Sequence, residues 1–113
     1  MPFTLNQVQL IGRAGTDATL HRMTDGTYVS RLRLYLPPRE GGPPEGFQLV
    51  AWASVAQSLH ARVRRNDRLL VRGRLRNRTF HRGGVTHLRT EIHLESFCHL
   101  AAPPDRRPEN ITS

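Results

Sequence analysis

Apolar and polar residues alternate along much of this chain, most regularly from Leu69 to Phe80, LLVRGRLRNRTF. Strand side chains project to two faces in turn, so Arg72, Arg74, Arg76, Arg78 and Phe80 share one face while Leu69, Val71 and Leu75 share the other. A helix would scatter these arginines around its axis, and Gly73 would cost it about 1 kcal/mol relative to Ala, so a strand is expected. Alternation also predicts a strand over Thr4 to Ile11, ending in a bend or bulge marked by Gly12 and Gly15, and a short one over Thr19 to Met23. Asp25-Gly26 then signals a hairpin into a return strand, Tyr28 to Leu36, with Leu32, Leu34 and Leu36 on one face and Arg31, Arg33 and Tyr35 on the other.

Pro37 to Gly46, PPREGGPPEG, cannot continue a strand and reads as a loop. Phe47 to Trp52 is a compact apolar strand. Val55, Leu59 and Val63 follow at helical spacing, with Ser54 as the expected N-cap, Arg62, Arg64 and Arg65 in the last turn and Asn66 as a left-handed C-cap. After the arginine strand a Gly83-Gly84 turn leads into a partner strand, Val85 to Phe97. There Leu88, Ile92 and Leu94 are expected to face the core, and His87, Arg89, Glu91, His93 and Glu95 to face out. The expected organisation is one domain over residues 1–100 followed by a disordered tail over 101–113. Short antiparallel strands with one late helix make the fold class all-β and suit a small closed barrel, of which the five-stranded OB-fold barrel with one short α-helix is the expected form.

Charge sharpens this picture. Seventeen basic residues face nine acidic ones, a net charge of +8, and all seventeen are arginine. Nine of them lie between Arg62 and Arg82, a span holding one acid, Asp67. Like charges about 7 Å apart along a strand repel each other, and an ordinary solvated face mixes both signs. A row of one sign suits a polyanion, and arginine suits phosphate because its planar fork pairs bidentately and stacks on bases.

Other chemistry is poorly represented. The single cysteine, Cys98, has no intrachain disulfide partner and falls on the expected core-facing parity of its strand, as an inert buried thiol would. No charged-then-apolar leader opens the chain and no apolar run reaches membrane length, so a cytoplasmic protein with no membrane association is expected. His87 and His93 share a face about 20 Å apart, too far to share a metal. There is neither a carboxylate cluster for Mg²⁺ nor a glycine-rich loop opening a helix. The expectation is therefore a binding protein with no enzymatic activity, cofactor, metal or small-molecule substrate.

The motifs, taken in order, carry a resemblance. Asn6 to Arg13 with Gly15 and Asp17, Thr24-Asp25-Gly26-Thr27 before a strand, Val50-Ala51-Trp52 before a helix, Val71-Arg72-Gly73-Arg74-Leu75 and Thr90-Glu91-Ile92 together resemble the bacterial single-stranded DNA-binding protein family, from about Leu5 to Leu100. The resemblance implies an OB-fold that assembles into dimers or tetramers and binds single-stranded DNA without strong sequence preference, in replication, repair or recombination. Carried over by position, Trp52 and Phe80 match two base-stacking positions. Glu40 lies near a third, and Gly46 stands where the family usually has a ring. Phe47 matches a subunit contact, and Asn6, Val8 and Leu10 match the first strand of the dimer interface. The family's acidic, apolar-tipped tail is replaced here by Arg106 to Ser113, which is expected of a tail-less variant.

Single-strand binding without sequence preference needs cations that track phosphates and rings that stack on bases. Arg31, Arg33, Arg72, Arg74, Arg76, Arg78 and Arg82 are the expected phosphate contacts, and Tyr35, Trp52 and Phe80 the expected rings. With few rings, binding should lean on charge and weaken by about 0.7 log unit per phosphate contact for each tenfold rise in salt. Trp52 could instead belong to the core. An alternative function is a primosome-type assembly subunit contacting mainly replication or primosome proteins; RNA is a weaker alternative ligand.

Overall fold

The structure, a computed structural model, describes residues 3–104. Its elements are β1 (Val8–Ala14), β2 (His21–Arg22), β3 (Tyr28–Leu36), β4 (Glu45–Trp52), α1 (Ala53–Arg62), β5 (Arg68–Arg82) and β6 (Val85–Ala101). Neighbours run β1-β5-β6-β4-β3, and β1 pairs again with β3 through Arg13 opposite Tyr35, closing a five-stranded ring. Among the described residues, only β4 and β6 pair in parallel. The expected OB-fold stands: five strands close on themselves and one helix joins β4 to β5.

The core follows from alternation. Leu32, Leu34, Leu49, Ala51, Leu69, Val71, Ile92 and Leu94 point into the ring, and α1 closes it with Ala56 and Leu59, followed by Val63. Gly12 lies inside β1 rather than ending it, because β1 and β3 approach so closely that a Cβ there would sit 2.6 Å from the Tyr35 carbonyl oxygen. Ser54 does not cap α1. The N-cap is Trp52, with no side-chain cap bond, and the chain turns into the helix through Ala53 at φ 56°. Asn66 is left-handed at φ 72°, but α1 ends earlier, at a Val63 C-cap. Asn66 instead shapes the turn into β5, where its N–H donates to the Ala14 carbonyl at 2.7 Å.

Two features depart from simple alternation. Arg72 lies opposite Ser96 while Gly73 lies opposite Leu94, so β6 bulges at Glu95 and its parity reverses. Leu94 is buried, Phe97 takes the next inward place, and Cys98 is exposed rather than core-facing. The second feature is length. Beyond Gly73 on β5 and Ile92 on β6, the two strands leave the ring as a hairpin closed by Gly83 at φ 58° and Gly84 at φ 76°. Leu75 and Leu88, expected to face the core, are 45% and 68% exposed because no second layer covers the hairpin. The projection also explains a radius of gyration of 16.3 Å, against about 13 Å for a compact domain of this size.

The amino-terminal segment extends the sheet without being a strand. The Asn6 carboxamide accepts from the Leu75 N–H and donates to the Leu75 carbonyl, both at 2.8 Å, in the manner of a strand neighbour. At the other end, β6 runs to Ala101, and Pro103 is buried. The remainder of the expected tail, from residue 105 onward, lies outside the described residues.

Candidate nucleic-acid interface

Register assembles the outer face. Along β3, Arg31, Arg33 and Tyr35 point outward opposite Val50, Gln48 and Gly46 of β4. Val50 neighbours His93 of β6, and β6 in turn sets His93, Glu91, Arg89, His87 and Val85 opposite Arg74, Arg76, Arg78, Phe80 and Arg82 of β5. Directly opposed strand residues share a face. One surface therefore runs from Tyr35 through Arg33, Arg31 and Trp52 to Arg74, Arg76, Arg78, Phe80 and Arg82. Arg72 belongs to the same face of β5 but stands between Gln9 and Ser96, farther around the ring.

The three rings differ in setting. Trp52 is 38% exposed, and its ring centroid is 6.4 Å from that of His93. Phe80 stacks on His87 at 5.1 Å with the planes 15° apart, and the guanidinium groups of Arg89 and Arg78 lie 5.1 and 5.8 Å from its centroid. Tyr35 is half-buried. A Cβ at Gly15 would meet its ring at 2.3 Å and one at Gly46 at 2.8 Å, so both glycines make room for it, and the Arg33 guanidinium covers it at 5.8 Å. Tyr35 also borders a cavity of about 560 Å³ beside Ile11, Arg13, Pro44 and Arg68.

Arg89, Glu91 and His93 share this face and are not among the contacts expected from the sequence. Their signal was the cross-strand partner of each arginine, which becomes countable only once the hairpin register is known. Glu91, expected to face out, is 3% exposed, beneath Arg78 and His93. His93 has its pKa held below the ordinary histidine value, first by desolvation and then by the nearby Arg76 charge, against an opposing pull from Glu91. Arg78 and Arg89 face each other directly, like charges offset in part by Glu91, which pairs with Arg78, and by the Phe80 ring that both guanidinium groups approach.

Asn6 is committed to Leu75, while Val8, Leu10 and Phe47 are half-buried against the barrel core. Among the described residues, no group of three His, Cys, Asp or Glu side chains is placed to hold a metal, and no helix is long and apolar enough to cross a membrane.

Comparison with known proteins agrees with this geometry. The family model described as the single-strand binding protein family matches residues 5–100. A curated relative, single-stranded DNA-binding protein 1 of Streptococcus pyogenes serotype M6, is 28% identical over 115 residues, covering 96% of this chain and 88% of the relative. With its motifs set in order on a closed five-stranded ring, the chain belongs to the single-strand binding protein family.

Proposed function

We propose that this protein coats single-stranded DNA without strong sequence preference, protecting or organising it in replication, repair or recombination. The observation that carries the reading is the outer face of β3, β4, β6 and β5, where arginines and rings alternate and Arg78 opposes Arg89. A single strand laid from Trp52 towards Phe80 places phosphates against Arg31, Arg74, Arg76, Arg78, Arg82 and Arg89 and offers bases to the two rings. Family membership supports the same reading, and the family is one of binding proteins rather than enzymes. Tyr35, wedged between two strands, contributes less than Trp52 and Phe80, and Arg33 and Arg72 extend the basic track. The working form is a cytoplasmic, nucleoid-associated dimer or tetramer, because one barrel's face is short. Leu75 and Leu88, exposed on the reverse of the hairpin, favour a protein contact there. That observation also suits the primosome-type alternative.

The test is a titration of Trp52, the sole tryptophan, with oligo-dT and with duplex DNA at low and high salt. Strong quenching by oligo-dT, a weak duplex response and an affinity that falls steeply with salt are expected. Trp52→Ala, followed by anisotropy of a labelled oligonucleotide, should weaken binding about tenfold, within the range of one base stack. No saturable binding of oligo-dT at low salt would refute the reading.

A further inference from the structure

Glu91 is an anomaly on a face suited to an anion. Its carboxylate lies in the midst of arginines, with its side chain 4% exposed, yet its ion-pair contacts are long. Arg78 Nε is 3.4 Å from one oxygen and His93 Nε2 is 3.8 Å from the other. Charge-assisted hydrogen bonds to a carboxylate run about 2.8 Å, so both of these pairs are loose ones. Glu91 also lines a cavity of about 270 Å³ with Trp52, His93, Arg31, Arg76 and Arg78. Desolvation, and then the Arg76 charge, lowers the His93 pKa against the charge and hydrogen bond of Glu91.

We propose that this cavity is a base-selective subsite in which Glu91 reads guanine through its N1–H and N2–H while Trp52 stacks on the ring. The inference rests on the single-strand binding reading above and deepens it: an otherwise indifferent track carries one position with a bias. The chemistry selects among the four bases. A carboxylate is acceptor-only, with two oxygens side by side. Guanine presents two adjacent donors to it. Cytosine and adenine present one amino group beside a ring nitrogen that repels the carboxylate, and thymine presents one N–H between two carbonyl oxygens. Arg78, whose guanidinium lies over the carboxylate in the free protein, swings out to join Arg31 and Arg76 on the flanking phosphates, which opens Glu91 to the base and offsets the repulsion between DNA and the carboxylate.

The experiment compares binding of equal-length d(GT)n, d(IT)n and (dT)n to the full chain and to Glu91→Gln, by anisotropy of labelled strands. Hypoxanthine keeps the guanine ring, O6 and N7 and lacks only the N2 amino group, so contacts from arginine to the other edge are unchanged. The wild-type protein should prefer d(GT)n over d(IT)n about tenfold, as expected for one bidentate base contact. Glu91→Gln, verified as folded by circular dichroism, should bring the two within about twofold and bind (dT)n at least as tightly as wild type, since a negative charge is gone. Equal wild-type affinity for d(GT)n and d(IT)n overturns the subsite and needs no variant. A preference that survives in Glu91→Gln removes Glu91 from it. Failure of the wild type to bind any of the three strands is a different result, which refutes the single-strand reading itself.

Discussion

Gly73 is where the hairpin leaves the ring, and it tolerates no side chain. A Cβ built there would lie 2.2 Å from the His93 carbonyl oxygen, 3.0 Å from its carbonyl carbon and 3.1 Å from Ile92 Cγ2. Two of these neighbours are backbone, so no rotamer change relieves the clash. In Gly73→Ala the His93 carbonyl must retreat by roughly 1 Å to reach ordinary van der Waals contact. Adjacent ladder hydrogen bonds of about 2.9 Å then stretch beyond useful length. Losing two of them at about 1 kcal/mol each, with about 1 kcal/mol of residual overpacking, gives a destabilisation of about 3 kcal/mol. With a slope of about 2 kcal/mol per molar urea, the midpoint should fall by about 1.5 M without a change in slope. Because His93 and Glu91 move with the strand relative to Trp52, the folded variant should also bind oligo-dT more weakly. A midpoint within about 0.25 M of wild type would show that β5 and β6 do not approach as described.

Three further outcomes follow from individual contacts. Asp67 is 1% exposed and accepts the Arg64 N–H at 2.7 Å and His99 Nε2 at 2.9 Å; Asp67→Ala strands both donors and should cost about 2–3 kcal/mol in urea unfolding, whereas a loss under about 0.5 kcal/mol would contradict the contact. The lowered pKa of His93 means that, between its folded value and the ordinary value near 6.5, the unfolded chain holds more proton. Stability should therefore fall as pH drops through that window and level off below the folded value. His93→Gln should flatten this part of the pH profile of the urea midpoint, and an unchanged profile would exclude His93 as the source. Cys98, exposed because of the bulge at Glu95, should react with a thiol reagent in the native protein as fast as in urea. Reaction only on unfolding would contradict the reversed parity.

By itself, the sequence determined what is local. Alternation placed β3 at Tyr28–Leu36 with its leucines inward and arginines outward, the glycine pair closed the β5–β6 hairpin, and the concentration of arginines marked the basic face before any strand was paired. These features are written in the spacing of neighbouring residues, and a strand's period of two survives whatever it packs against. Tertiary structure decided what depends on partners. Continuing one parity along β6 put Cys98 inside and Glu91 outside. The bulge at Glu95 reverses the first, because it is a mismatch in length between two strands, visible in neither alone. Glu91 keeps its outward parity but is covered by Arg78 from the opposite strand and by His93, so its burial comes from the pairing rather than from the period. Leu75 and Leu88 carry the alternation of core residues, yet they stand in water, because the hairpin runs past the edge of the ring and alternation does not record where the second layer ends.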